Sequence, residues 1–274
     1  MPRQQGFTLV ELVMVIVLLG IVATISTQFV SFSVRGAIDL GDRQQRALQG
    51  VVISEQITRE VRAAFPLSVR AKKPGCLEWL PILGGTTYVT IPFEDSSNKV
   101  LILPFDDDVR QAIGRKEARL VVYGYGSLQL LYDFENAGSG PVSPVISSIL
   151  DVPESTQDKV ILEAPHRFNQ RSPQKRIYAI GKPVSICQNQ NVASKKLYRF
   201  GNYNSDTTQP SFSDLSSTES GVMSANLSPN SFRLKIEPAS LQRSSVVDFA
   251  FELTTPNSEE TTRVSQEVQI RNVP

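Results

Sequence analysis

Residues 7–30 read FTLVELVMVIVLLGIVATISTQFV, a run of 24 residues in which Glu11 is the one ionisable side chain. As a helix rising about 1.5 Å per residue it reaches roughly 36 Å, enough to cross a hydrocarbon core of about 30 Å with some tilt. An ordinary secretory signal has an apolar core of about 7 to 15 residues and a small-residue cleavage site beyond it. The run here is longer, and cleavage between Ala23 and Ser26 is the alternative it leaves open. Glu11 is the anomaly. At full membrane depth a carboxylate costs on the order of 2.5 to 3.5 kcal/mol. Either it lies near the helix start, where its charge suits the positive end of the helix dipole, or it is retained for a purpose.

Outward from this stretch, the helical pattern continues with Ile53, Ile57, Val61 and Phe65 at i+4 spacing, and Pro66 ends it. Gly36, Gly41 and Gly50 each weaken a helix by roughly 1 kcal/mol relative to alanine, which predicts a bend or a melted turn near Arg35 to Gly41. Unbroken, residues 7–65 would form a helix of about 88 Å, half of which must project from any compact domain. The rest reads as short strands. Phe232 to Ile236 and Val247 to Leu253 alternate cleanly, and Val264, Val268 and Ile270 keep the same parity. Further strand candidates are Tyr88 to Ile91, Val100 to Leu103, Leu120 to Tyr123, Leu128 to Tyr132, Val160 to Leu162, Ile177 to Ile180 and Leu197 to Phe200. Asn136 to Ser148 and Asn202 to Asn230 are polar and read as long exposed loops. The fold class expected is α+β: a long N-terminal helix on a mainly antiparallel β head.

Composition narrows the function classes. Of 274 residues, 41% are hydrophobic and 20% charged, the profile of a folded chain. Lys plus Arg is 28 against 27 for Asp plus Glu, so nucleic acid is a weak option. One histidine, His166, and two cysteines, Cys76 and Cys187, are too few for a structural zinc or multi-histidine centre. Asp106, Asp107 and Asp108 with Asp133 or Glu135 could hold calcium, but their spacing matches no calcium loop, and a solvated acidic loop is the plainer reading. His166 needs a nucleophile beside it to act as a base, and no motif announces one. Gly124 to Ser127 reads as a hairpin turn, and Lys195 to Phe200 as a strand whose basic and aromatic residues alternate.

Gly6-Phe7-Thr8-Leu9-Val10-Glu11 resembles the class III signal of type IV prepilins and of the pseudopilins of type II secretion. The resemblance implies a leader, residues 1–6 with Arg3, cut between Gly6 and Phe7 by a prepilin peptidase that then methylates the new amine of Phe7. It also implies that Glu11 guides assembly by meeting the terminal amine of a neighbouring subunit, which gives the anomalous carboxylate a counter-charge. Implied with these are a single span at 7–30, an amphipathic helix at 31–65 and a periplasmic head at 66–274. The amino terminus would be cytoplasmic and the anchor in the inner membrane. Partners implied are the other major and minor pilins, the inner-membrane assembly platform and the lipid bilayer. No cofactor or enzymatic activity is expected.

More loosely, TREVRAAFPLSVR at 58–70, CLEWLPI at 76–82, Tyr88-Val89 and the chain end from Gln269 to Pro274 are similar to the O-type minor prepilins of mannose-sensitive haemagglutinin (MSHA) pili. This implies a low-copy subunit for pilus biogenesis. On the periplasmic side that the resemblance implies, an even cysteine pair is expected to bridge, Cys76 to Cys187, at roughly 4 to 5 kcal/mol on the chain-entropy model. Two free buried thiols are the alternative. Competing functional readings are a type II secretion pseudopilin, a tip adhesin binding through the two polar loops, and a tethered hydrolase using His166.

Overall fold

The structure, a computed structural model, describes residues 6, 8–125, 128–135, 138–153, 155–239, 244–255 and 258–270. The leader residues 1–5, Phe7, part of the turn at Gly124 to Ser127, the start of the loop at Asn136, and the end from Arg271 to Pro274 lie outside the described residues. The chain forms an α+β fold in two compact units, Met1–Gln49 and Gly50–Pro274.

Helix α1 (Leu9–Arg62) supplies nearly all of the described first unit. No turn is melted: the helix runs unbroken through Gly36 and Gly41, where a bend or melted turn is expected from the sequence. Three isolated glycines cost about 1 kcal/mol each, and opening the ladder would unpair several backbone groups at once. Its end also differs. The last helical residue is Arg62, because Phe65 precedes Pro66 and is held extended (φ −67°, ψ 118°). The chain there bonds Leu80 and Ile82, and a short 3-10 turn, Pro66–Ser68, follows.

The second unit carries β1 (Cys76–Trp79), β2 (Ile82–Thr90), β3 (Ser97–Ile102), α2 (Asp107–Arg115), β4 (Arg119–Val121), α3 (Leu128–Tyr132), β5 (Ser139–Gly140), β6 (Val142–Asp151) and β7 (Asp158–Phe168). Then come β8 (Arg176–Ile180), β9 (Val184–Gln188), β10 (Leu197–Phe200), α4 (Phe212–Leu215), β11 (Ser220–Ser224), β12 (Arg233–Glu237), β13 (Ser245–Thr255) and β14 (Ser258–Ile270). Strands β3-β2-β8-β4-β6-β7 pair antiparallel in that order, and β3 pairs β7 again, so the sheet closes into a six-stranded barrel. Closure removes the sheet edges. Inside lie Val100, Ile102, Leu120, Val160, Leu162, Ile177 and Ala179, with Phe105 and Ile113 closing in from α2 and its approach. Two smaller sheets, β1-β9-β10-β11 and β12-β13-β14, share a core with α1. Ile53, Ile57 and Val61 of α1 meet Leu77, Trp79 and Ile186 from one sheet and Val247, Phe249, Phe251 and Val268 from the other. The i+4 stripe on the helix and the alternation in the last hairpin are therefore two sides of one apolar contact.

Four segments differ from what the sequence alone predicts. Leu128 to Tyr132 is helix α3: its consecutive Leu131 and Tyr132 are both buried, which a strand with alternating faces does not allow. Asn136 to Ser148 is not a long exposed loop, because from Ser139 onward it supplies β5 and most of β6, with Val142 and Ser143 buried against the barrel. Asn202 to Asn230 holds α4 and β11 and buries Tyr203, Gln209, Leu215 and Leu227. Polar composition misleads in both stretches, since barrel pairing and side-chain amides satisfy the backbone there. Gly124 does not turn a hairpin. Tyr123 and Gly124 have φ of 62° and 71° and lead β4, whose ladder partners are β6 and β8, toward α3.

Gly50 has a role the helix-propensity argument misses. A Cβ there would stand 2.7 Å from Val264 Cγ2 and 3.5 Å from Leu253 Cδ1, so the glycine lets the helix backbone approach the β13–β14 hairpin.

Candidate functional site

From Leu9 to Val34 the helix of the first unit is apolar on every face, with Glu11 as its one charged side chain. Leu9, Phe29 and Phe32 are 79%, 69% and 79% exposed, and the intervening Val, Leu and Ile residues expose about half or more of their surface. Such a surface in water would be a large uncovered apolar area; a bilayer or other apolar helices satisfy it. The polar groups within it are handled locally. Thr24 Oγ1 donates to the carbonyls of Gly20 (3.1 Å) and Ile21 (2.8 Å), and Thr27 Oγ1 to that of Thr24 (2.9 Å). Hydroxyls bonded inside their own helix suit a medium that offers no water. By length and composition this is the one helix, among the described residues, able to cross a membrane.

At its start, Thr8 stands in the N-cap position and its Oγ1 accepts the Glu11 backbone N–H at 3.3 Å, while Leu12 N–H donates to the Thr8 carbonyl at 3.2 Å. Glu11 is therefore the third helical residue, exposed, in the first turn where the N–H groups carry partial positive charge. The Thr-x-x-Glu spacing is a capping signature legible in the sequence, though it has to be sought beneath the hydropathy. No cationic side chain meets Glu11 among the described residues. Gly6 precedes the helix, exposed, with no neighbouring heavy atom within 4 Å of the place a Cβ would take. Phe7, the expected methylation position, is outside the described residues.

In the second unit Cys76 and Cys187 are bridged across the β1–β9 ladder, both buried. Beside the bridge lies a polar cluster that sequence reading did not find. Arg70 and Glu78, 2% and 0% exposed, pair at 2.5 Å between Nε and Oε2. Arg70 also donates to the carbonyls of Thr207 (2.9 Å) and Asp206 (2.7 Å), and its guanidinium lies 3.6 Å over the Tyr132 ring. Tyr203 donates to Glu78 Oε1 (3.0 Å) and shares a hydrogen bond with Ser185 (2.7 Å). Gln209 donates to the Cys76 carbonyl and accepts the Lys72 N–H. Burial raises the Glu78 carboxyl above its ordinary range, and Arg70 offsets this only in part. Burial also pushes the Tyr132 and Tyr203 phenols upward, so both remain donors at neutral pH. This constellation fastens the chain from Tyr203 to Gln209 over the polar face of β1 and β9, and every named group has a partner. It is structural in character.

The other candidates are dispersed. His166 is fully buried on β7, donating Nε2–H to the Gly140 carbonyl (3.1 Å) with its ring edge-on to Phe168. Asp107 and Asp108 occupy the first turn of α2 and Asp106 its N-cap, positions that suit the helix dipole. Among the described residues no three His, Cys, Asp or Glu side chains converge on a metal-sized site. Lys195 and Lys196 precede β10, whose Leu197 and Phe200 are buried.

Compared with family models, residues 1–27 match the prokaryotic N-terminal methylation motif. The chain thus bears a prepilin-type N-terminal signal on the segment that holds Gly6, Glu11 and the start of the apolar helix. That signal supports a type IV pilin or pseudopilin role, with processing by a prepilin peptidase and assembly with other pilins. No curated protein and no solved structure matches the chain.

Proposed function

We propose that this chain is a minor subunit of a type IV pilus of the mannose-sensitive haemagglutinin kind, acting in pilus biogenesis in the priming or tip complex. The carrying observation is the coincidence, within residues 1–27, of a prepilin-type motif with a helix that is apolar all round and bears one carboxylate at its third position. In this reading, residues 1–6 are a cytoplasmic leader removed between Gly6 and Phe7, and the new Phe7 amine is methylated. Residues 7–30 anchor the chain in the inner membrane, residues 31–65 continue the helix, and residues 66–274 form a periplasmic head. Glu11 meets the amine of a neighbouring subunit when helices pack into a filament, since a carboxylate among apolar helices needs a counter-charge. The disulfide supports the periplasmic side, an oxidising compartment. The MSHA assignment is supported by the stretches at 58–70 and 76–82; a pseudopilin of type II secretion shares every feature of the first unit, and the neighbouring genes distinguish the two.

Mass spectrometry of the mature protein tests the processing. A mature chain starting at methylated Phe7 is expected, and Gly6→Arg should block the cut. A mature terminus near Ser26 would overturn the reading. Glu11→Val should leave a processed, membrane-resident protein that no longer crosslinks to other pilins; undiminished crosslinking refutes the charge pairing or places this subunit at the tip. A reporter active only in the periplasm, fused after Pro274, checks the topology.

A further inference from the structure

The second unit manages its strand edges unevenly. Among the described residues the barrel has none except the two-residue β5. In the three-stranded sheet, edge strand β12 carries Arg233, Lys235 and Glu237, and edge strand β14 carries Glu260, Arg263 and Glu267, charges of the kind that deter another strand from adding. In the four-stranded sheet, the outer edge of β1 is bonded to Arg70 through the backbone in both directions. The remaining edge is β11, Ser220-Gly221-Val222-Met223-Ser224, which has no charge and no proline and is regular against β10 from Ser220 to Val222, with a bulge at Met223 beyond. Its first three residues are exposed, Val222 at 54%, and the place of a Cβ on Gly221 is open space. The ladder bond from Gly201 N–H to the Glu219 carbonyl sets the alternation, so the N–H groups of Ser220 and Val222 point away from β10.

This edge borders a cleft of about 740 Å³ lined by the start of β11, the end of α2, the turn between β8 and β9, and Arg199. Arg199 is paired with Glu60 (2.7 Å) and Lys182 with Glu117 (3.0 Å), while Glu219 accepts from Asn202 (3.5 Å). Arg115 and Lys116, both exposed on the same cleft, meet no carboxylate among the described residues; Arg115 reaches only Gln111 Oε1, at 3.4 Å. The cleft therefore joins a strand edge without charge or proline, bulged at Met223, to two cations that meet no carboxylate, set against the single carboxylate of Glu219, which meets no cation among the described residues.

We infer that β11 is a docking edge for an extended acidic segment of a partner protein, which adds as a fifth strand to this sheet and sets its carboxylates against Arg115 and Lys116. Main-chain bonds to the free N–H and C=O groups of β11 supply the affinity, and the two cations select an acidic sequence and its register. The inference uses the second unit alone and stands or falls separately from the pilin reading.

The test pans a phage-displayed library of random ten-residue peptides against the purified full chain in detergent, and measures the enriched peptides by fluorescence polarisation. The expected result is enrichment of peptides rich in Asp, Glu and β-branched residues. Their affinity should fall about tenfold or more in Val222→Pro, which removes one outward N–H and leaves the β10 ladder bonded. It should also fall in Arg115→Glu with Lys116→Glu, two exposed changes that leave the fold intact, and weaken with salt. Unchanged thermal unfolding of both variants guards against a folding defect. No enrichment, or enriched peptides indifferent to both variants, overturns the inference. Peptides that respond to Val222→Pro but not to the charge reversals keep the docking edge and refute the acidic partner. Enrichment of sequences resembling the β13–β14 hairpin, with self-association of the chain, would identify a second copy as the occupant in place of a partner protein.

Discussion

Arg70→Met should be among the most damaging single substitutions in the second unit. It keeps a long side chain over the Tyr132 ring but deletes the guanidinium, and with it the 2.5 Å pair to Glu78 and the bonds to the Asp206 and Thr207 carbonyls. Glu78 is then a fully buried carboxylate with the Tyr203 hydroxyl as its remaining side-chain partner. Breaking a buried pair by removing one partner costs about 3 to 5 kcal/mol. For a unit of this size, where 1 kcal/mol moves the midpoint by about 2 to 4 °C, Tm should drop by roughly 6 to 20 °C. The pH dependence identifies the cause. Glu78 already titrates above its ordinary 4.5 because of burial, and losing the cation raises it further. The native variant then binds more protons than its unfolded chain between pH 4.5 and the raised value, so its stability increases as pH falls through that window. Thermal unfolding by near-ultraviolet circular dichroism, for wild type and variant in the same detergent at pH 5 and pH 7.5, measures both quantities. The deficit should be largest at pH 7.5 and shrink at pH 5. A deficit below about 1 kcal/mol, or one of equal size at both pH values, would refute the argument that the pair neutralises a desolvated charge.

Gly50→Leu should destabilise the second unit despite leucine's better helix propensity, because the new side chain starts 2.7 Å from Val264 Cγ2; a Tm equal to or above wild type would show that the helix and hairpin are not in close contact there. Replacing both cysteines by serine should cost about 4 to 5 kcal/mol by the chain-entropy model for residues 111 apart, read as a lower midpoint in denaturant and as loss of the difference between reduced and oxidised samples. Ser68→Ala removes the buried acceptor of the Leu80 N–H (2.9 Å) and should cost about 1 to 3 kcal/mol in the same titration, whereas an exposed hydroxyl such as that of Ser216 should be near neutral.

Elements with a one-sided environment were legible in the chain before any folding was considered. The apolar run from Phe7 to Val30 needs only its composition to be read. The Ile53, Ile57, Val61 stripe and the alternation of Val247, Phe249, Phe251 and Leu253 follow from one buried face each, because a single buried face prints its period on the chain. Elements covered on both sides print no period. β1 and β9 are buried at every residue: one face lies in the core with α1, and the other, bearing Cys76, Glu78, Ser185 and Cys187, lies beneath the segment from Tyr203 onward. That this segment folds over them follows from long-range packing, since Arg70 reaches its carbonyls across 136 and 137 residues of chain. The barrel's closure by β3 and β7, the strand within the polar stretch after Asn136, and the need for glycine at position 50 are likewise set by partners distant in sequence. Local propensity acts over one turn or one pleat, whereas those partners arrive only when the chain packs.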